Sequence, residues 1–260
     1  RCGQNACGVL IMAVQYNPRI VDNNIIYFCD FANTRSYSGS GSVFSDLSGR
    51  FAGGTLQNGA LYNSNSGGSI IFDGTNDTIE TPVRAETYVP ALSSWTMACW
   101  IRVTNFPTGG ATNRDGMVFG SAYYSGTGIY FSCTPAGDFR VRGYIRGQDQ
   151  ARLTSNYSLV LNQAHNLCIV NDRSDTTFKL YIDGVLKESI TSASQQYNPA
   201  LAIPPNFENI RMNRNQVDGG GEQTYTYFQG YGYQACIYDK ALSGSEVLQN
   251  YNAIRGRFGL

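Results

Sequence analysis

Between Ile20 and Tyr238 the chain alternates short β-favouring runs with turns rich in Gly, Asn, Asp and Ser, and no helical period interrupts them. The runs are Ile25–Phe31, Gly68–Phe72, Thr78–Thr81, Trp95–Val103, Gly116–Tyr124, Gly128–Cys133, Phe139–Arg146, Asn166–Asp172, Thr177–Ile182, Val185–Thr191, Ile210–Asn213 and Thr226–Tyr238. Asp183-Gly184 between Ile182 and Val185 is a two-residue hairpin signal, because such a turn demands positive φ and glycine accepts it. Pro135 to Asp138 marks a second hairpin. About a dozen strands joined by close turns predict an all-β fold, a two-sheet antiparallel jelly-roll sandwich.

One helix closes the chain. Ser243 with Glu246 three residues later forms a capping box, in which each side chain satisfies an orphan backbone N–H of the first turn. Val247, Leu248, Tyr251 and Ile254 form an apolar stripe after it, and Gly256 stands where a helix stop is expected. The architecture is therefore a sandwich with one short C-terminal helix docked on it.

The 260 residues are 42% hydrophobic and 13% aromatic, enough for a large core in a single domain. With 19 basic and 19 acidic residues, no net field recruits nucleic acid or anionic membrane. The longest apolar run, Gly8 to Val14, is too short to span a bilayer. Seven cysteines lack the spacing of a disulfide scaffold. Cys29, Cys99, Cys133, Cys168 and Cys236 lie within apolar strands as small hydrophobes, which fits folding in a reducing cytoplasm. Cys2 and Cys7 leave open a metal site or a small bridge, although no second pair stands at zinc spacing. Residues 1–11 differ in character from the chain that begins at Met12. They are expected to lie outside the domain, as an upstream remnant, a fusion remnant or a readthrough junction, with the domain spanning 12–260.

Several stretches carry a family resemblance. They are Tyr27-Phe28-Cys29-Asp30-Phe31-Ala32-Asn33, Asp46-Leu47-Ser48-Gly49, Gly54-Thr55-Leu56, Gly68-Ser69-Ile70-Ile71-Phe72-Asp73-Gly74-Thr75-Asn76-Asp77, Trp95 to Ile101 and Leu180-Tyr181-Ile182-Asp183-Gly184. In that order they resemble laminin-G-like, concanavalin A-like lectin and glucanase jelly rolls. The closing Ile237-Tyr238-Asp239-Lys240-Ala241-Leu242-Ser243, with Glu246 and Gln249-Asn250-Tyr251-Asn252-Ala253, resembles the versions found in tailed-bacteriophage structural proteins. The resemblance implies a concanavalin A-like sandwich and a virion location after assembly in the host cytoplasm. It does not choose among lectins, glycosidases and passive modules, because one fold serves all three.

Glycoside hydrolysis needs two carboxyl groups facing each other across the sugar. No strand carries paired acidic residues at alternate spacing, and the single histidine, His165, has no serine or cysteine motif beside it and reads as a turn or strand-end residue. No catalytic residue is assigned and no enzyme is expected. Asp73, Asn76, Asp77 and Glu80 gather oxygen groups around a tight turn. Calcium takes such ligands from loops, but Asn, Asp and Gly also make turns for backbone reasons alone. Calcium is the candidate ion at this turn; no other cofactor is expected. In calcium-binding relatives an acidic residue often precedes the final tyrosine strand, where this chain has Gln234-Ala235.

Two surfaces could bind a partner. Alternation puts Arg140, Arg142, Tyr144 and Arg146 on one face of their strand, either as an ordinary solvated face or as a grip on an acidic glycan or subunit. Tyr225, Tyr227, Tyr231 and Tyr233 share one parity of the last strand, open to core packing, a protein interface or a sugar face. The favoured function is a non-enzymatic virion component, such as a capsid decoration, fibre or tail-associated protein. Its partners are other virion proteins, with homo-oligomerisation compatible and no nucleic acid or membrane insertion. The alternative is an adhesin for host surface polysaccharide, and a polysaccharide-degrading enzyme ranks third.

Overall fold

The computed structural model describes residues 19–84, 88, 93–105, 114–121, 127–133, 139–145, 151–154, 157–191, 209–215, 217–218, 221–222 and 227–260. The strands run β1 (Ile25–Asp30), β2 (Val43–Phe44), β3 (Gly54–Gln57), β4 (Leu61–Asn63), β5 (Ser69–Asp73), β6 (Thr78–Arg84), β7 (Trp95–Asn105), β8 (Arg114–Gly120) and β9 (Gly128–Cys133). They continue as β10 (Phe139–Ile145), β11 (Ala151–Thr154), β12 (Ala164–Asp172), β13 (Thr177–Ile182), β14 (Val185–Thr191), β15 (Asn209–Asn215), β16 (Val217–Asp218), β17 (Gly221–Glu222) and β18 (Gln229–Tyr238). Helix α1 (Gly244–Arg255) closes the chain and passes into a 3-10 turn over Gly256–Phe258.

Two eight-stranded antiparallel sheets form the sandwich. Sheet A is ordered β14-β13-β12-β7-β18-β5-β4, with β1 also paired to β18, and sheet B is ordered β11-β10-β9-β8-β15-β6-β3-β2. The core between them is built by alternation. Trp95, Met97, Cys99, Ile101 and Val103 of β7 face Ile129 and Phe131 of β9, Val141 of β10 and Met212 of β15, all buried in one cluster. The expected two-sheet sandwich with one C-terminal helix is therefore the observed fold.

The Asp183-Gly184 hairpin forms as expected. Both residues take positive φ, 54° and 74°, while Ile182 pairs with Val185. Cys133 pairs with Phe139, as the second hairpin requires, and its turn lies outside the described residues. The capping box is present: Ser243 Oγ accepts from the Glu246 N–H, and Glu246 accepts from the Ser243 N–H. The α-helix stops at Gly256 as expected; this C-cap stays right-handed at φ −60°, and the 3-10 turn that follows ends at left-handed Gly259, φ 72°. One expectation for the helix needs correction. Leu248 is exposed, because helix α1 rests on Val247, Tyr251 and Ile254.

Short strands β2, β3, β4 and β11 carry no run of their own in the sequence. They pair at or near sheet edges, where the neighbouring strand supplies the ladder. Among the described residues no helix is long and apolar enough to cross a membrane.

Candidate functional site

The outer face of sheet A is divided in two by a β-bulge. In β18, Gly232 pairs with Ile101 and Gln234 with Trp100, so Tyr233 is the extra residue. Beyond it Gln234, Cys236 and Tyr238 turn outward, and helix α1 covers them. Trp100 lies 5.5 Å from the Tyr251 ring and nearly parallel to it, at 8°, and 4.8 Å from Phe258. Asn250 joins three parts of the chain. Its Oδ1 accepts from the Val21 N–H at 2.7 Å, and its Nδ2 donates to Tyr238 Oη at 3.0 Å, which itself donates to the Val21 carbonyl at 2.9 Å. Thr96 Oγ1 donates to the Lys240 carbonyl and accepts from the Leu242 N–H, holding the segment that leads into the helix.

Before the bulge the outer face carries a row across four strands. Leu61 of β4 pairs with Ile71 of β5, Ile71 with Tyr231 of β18, and Tyr231 with Arg102 of β7. Directly opposed residues point to the same face, so these side chains form one continuous strip. Leu61 is 65% exposed, and Ile71, Tyr231 and Arg102 are half-buried. The Arg102 guanidinium lies over the Tyr231 ring at 4.1 Å, a cation–π contact that holds a long side chain in one place. Tyr231 in turn stacks near Tyr233, with centroids 6.3 Å apart and planes 19° from parallel. Flat aromatic and apolar groups beside a fixed donor suit a sugar ring, which has an apolar face and a polar edge.

Of the three described tyrosines that share a parity in the sequence, Tyr231 alone reaches this strip. Tyr225 lies outside the described residues, and Tyr227 and Tyr233 are buried. Tyr233 is enclosed by Phe258 and Arg257, and burial raises its hydroxyl pKa against the pull of Arg102 and Arg257. Arg257 is itself anchored, pairing with Asp30 at 2.8 Å and donating to the carbonyls of Ser66 and Gly68.

The arginine ladder on β10 is not an open surface. Arg142 and Tyr144 are buried, Arg140 is half-buried, and Arg146 lies outside the described residues. Arg142 Nη1 donates to Tyr144 Oη at 3.1 Å, Tyr130 meets Tyr144 edge-on at 4.9 Å, and Met117 completes the cluster. Alternation gave the face correctly, but burial of Arg142 and Tyr144 takes both out of the accessible surface.

The acidic turn is occupied by backbone work. Asp77 accepts from the Asp73 N–H at 2.9 Å, Asp73 accepts from the Thr75 N–H at 2.7 Å, and the Asn76 carbonyl accepts from Asn58 Nδ2 at 3.0 Å. Burial pushes the Asp77 carboxyl up, offset by the Asp73 N–H and reinforced by the Asp73 carboxylate. Glu80 turns to other partners, pairing with Arg211 at 2.7 Å and accepting from Gln57 and Asn209. Among the described residues no group of three His, Cys, Asp or Glu side chains gathers as a metal site.

His165 is the second residue of β12, at the strand end as expected, and it is buried. Its Nδ1 is 2.7 Å from Asp183 Oδ2, and its Nε2 is 3.2 Å from the Val160 nitrogen and 3.3 Å from the Val160 carbonyl oxygen, so both ring nitrogens are engaged. Asp183 Oδ1 also accepts from the Asn166 N–H at 2.9 Å, which ties the hairpin to β12. Cys29, Cys99, Cys168 and Cys236 are buried free thiols, as expected of small hydrophobes. Burial raises all four pKa values, that of Cys236 to about 12. Cys2 and Cys7 lie outside the described residues.

A family model for laminin-G-type domains, described as the concanavalin A-like lectin/glucanases superfamily, matches residues 73–248, more than half of the chain. The chain belongs to the concanavalin A-like lectin/glucanase superfamily. Among curated proteins none is significantly similar in sequence. Solved structures share the fold of this superfamily member at low identity. Domain 4 of an extracellular arabinanase from Geobacillus stearothermophilus, solved with arabinotriose, has TM-score 0.56 and 19% identity, covering 88% of this chain and 98% of that one. The binding domain of a paraclostridial mosquitocidal protein has TM-score 0.62 and 17% identity over 89% of this chain and 52% of that one. Trypanosoma rangeli sialidase has TM-score 0.59 and 14% identity over 90% of this chain. This chain spans 33% of that sialidase's length. The superfamily member is thus a lectin-like jelly-roll domain whose site must be argued from its own residues.

The strip was legible in the sequence at one of its four residues. Tyr231 stood out through parity, whereas Leu61, Ile71 and Arg102 did not. Arg102 had one signal available: it lies two residues beyond Trp100 on β7 and therefore shares its outward face.

Proposed function

We propose that the chain is a non-enzymatic carbohydrate-binding module mounted on a larger particle. The observation that carries this reading is the open strip Leu61, Ile71, Tyr231 and Arg102, a flat apolar and aromatic surface with one pinned polar group. The lectin-like fold supports it, as does the arabinotriose held by the arabinanase domain of the same fold. The non-enzymatic part is supported by His165, whose two ring nitrogens are engaged inside the protein. A glycan array probed with the purified chain and with Tyr231→Ala tests the reading. Selective binding that falls at least tenfold in the variant is expected. Binding to no glycan, or binding indifferent to Tyr231, would refute it, and release of reducing ends from a bound polysaccharide would replace it with hydrolysis.

A second reading, a structural component of a tailed-phage virion, is favoured by the closing motif. Its residues have matched tasks here: Tyr238 and Asn250 bond each other, Glu246 caps with Ser243 and pairs with Lys240, and Tyr251 stacks on Trp100. Mass spectrometry of purified particles is expected to find the chain in stoichiometric amount; its absence would defeat this reading and leave the binding one standing.

A further inference from the structure

The strip has an asymmetry that a neutral sugar would not use. At its β7 end Arg102 carries a full positive charge, and among the described residues no carboxylate lies within 4 Å of it and none accepts a hydrogen bond from its guanidinium. Its Nε is enclosed without a hydrogen-bond partner. The neighbouring cation differs: Arg257, which shares contact with Tyr233, is paired with Asp30. The ring of Tyr231 supports the half-buried Arg102, whose terminal donors no protein group claims among the described residues. The stacking also fixes the planar fork in advance, so a ligand need not order it.

Resting on the carbohydrate reading above, we infer that the ligand is a carboxylated saccharide, of the uronic or sialic acid class, whose carboxylate is held by Arg102 while its apolar ring face lies along Tyr231, Ile71 and Leu61. A carboxylate matches the guanidinium fork with two parallel hydrogen bonds, and that pairing is stronger than a hydroxyl contact. The chain carries 19 basic and 19 acidic residues, so the preference for acid has to come from this local charge and not from a global field. Asp73, exposed on β5 and one row away beside Gln229, sets a limit. It disfavours a second carboxylate nearby, which suits one acidic sugar per site over a dense polyanion.

The test uses the purified chain and an array that presents carboxylated oligosaccharides beside their carboxyl-reduced counterparts, with oligogalacturonate and oligosialate among the acidic probes and poly-glutamate as an acidic peptide. The chain is expected to bind at least one acidic sugar tenfold or more tighter than its reduced form. Arg102→Gln should abolish that ratio, Arg102→Lys should restore part of it, and Tyr231→Ala should weaken both forms, the acidic one more, because the guanidinium loses the ring it rests on. Arg102→Lys retains the charge, so a ratio lost in Gln and partly regained in Lys separates recognition from misfolding. An equal affinity for acidic and reduced sugars, or a ratio unchanged in Arg102→Gln, overturns the acidic ligand and leaves carbohydrate binding intact. Binding to no sugar overturns both, and Arg102-dependent binding to poly-glutamate alone assigns the strip to an acidic peptide instead.

Discussion

Asn213 gives the most quantitative test of how the fold presents Tyr231. It is fully buried in β15 and sits at φ 57°, a left-handed conformation that asparagine tolerates and alanine does not. Its Nδ2 donates to the carbonyls of Asp77 at 3.1 Å and Phe228 at 3.2 Å, and its Oδ1 accepts from the Phe228 N–H at 3.0 Å. One side chain thus pins the start of β6 and the entry to β18 to β15, three residues before Tyr231. Asn213→Ala orphans three buried main-chain groups, at about 1 kcal/mol each, and adds about 1 kcal/mol of backbone strain. The expected loss is about 4 kcal/mol, a fall in melting temperature on the order of 10 °C for a chain of this size. Asn213→Gly loses the same hydrogen bonds without the strain and should be about 1 kcal/mol more stable than the alanine variant. Urea unfolding followed by the fluorescence of Trp95 and Trp100 measures both, with an unchanged m-value required for the comparison. A loss below about 1 kcal/mol in Asn213→Ala would refute the hydrogen-bond argument, and equal stability of the two variants would refute the strain.

Three further outcomes are expected of the same structure. Ser243→Ala should cost about 1 kcal/mol in thermal melts by removing one half of the capping box. Burial opposes ionisation of Glu246, but Lys240 and the Ser243 hydrogen bonds prevail and hold its carboxyl below the ordinary 4.5. Its stabilisation is therefore present above pH 4.5 and lost as pH falls through the lowered folded value, so Glu246→Gln should flatten that acid limb of a stability profile. Mass-mapped alkylation at about pH 8 should leave Cys29, Cys99, Cys168 and Cys236 unmodified in the folded chain and label all four in denaturant; fast native labelling of any one would contradict its burial and raised pKa.

What the sequence disclosed about this fold was whatever local chemistry decides. Asp183-Gly184 reads as a hairpin because positive φ is a property of two adjacent residues, and Ser243 with Glu246 reads as a cap because three residues close the box. Asp46-Leu47-Ser48-Gly49 was visible as a motif, and the structure gives its reason. Asp46 accepts from the N–H groups of Phe28, Ser48, Arg50 and Phe51 and from Ser48 Oγ, bracing the loop after β2. Features decided by pairing were hidden. Strand β4 has three residues and no propensity signal, and Arg142 and Tyr144 show the right parity but not the packing that closes over them. The outer-face strip draws on positions 61, 71, 102 and 231, which only the register of four strands brings into line.

The bulge at Tyr233 explains why one strand can serve both the helix and the strip. Had strict alternation continued from Tyr231, Ala235 and Ile237 would face outward and Gln234, Cys236 and Tyr238 would enter the core. The extra residue reverses this, so Ala235 and Ile237 fill the core while Tyr238 meets Asn250 beneath α1. At the same residue β18 changes its edge partner, with the Phe31 N–H donating to the Tyr233 carbonyl at 3.0 Å where pairing with β5 has ended at Gly232. The covered half of sheet A, which Trp100 and Tyr251 seal, thereby buttresses Tyr233, and Tyr233 in turn supports the ring of Tyr231. The position of the Tyr231 ring thus depends, through Tyr233, on Phe258 in the turn that follows α1, which links the C-terminal motif to the geometry of the strip.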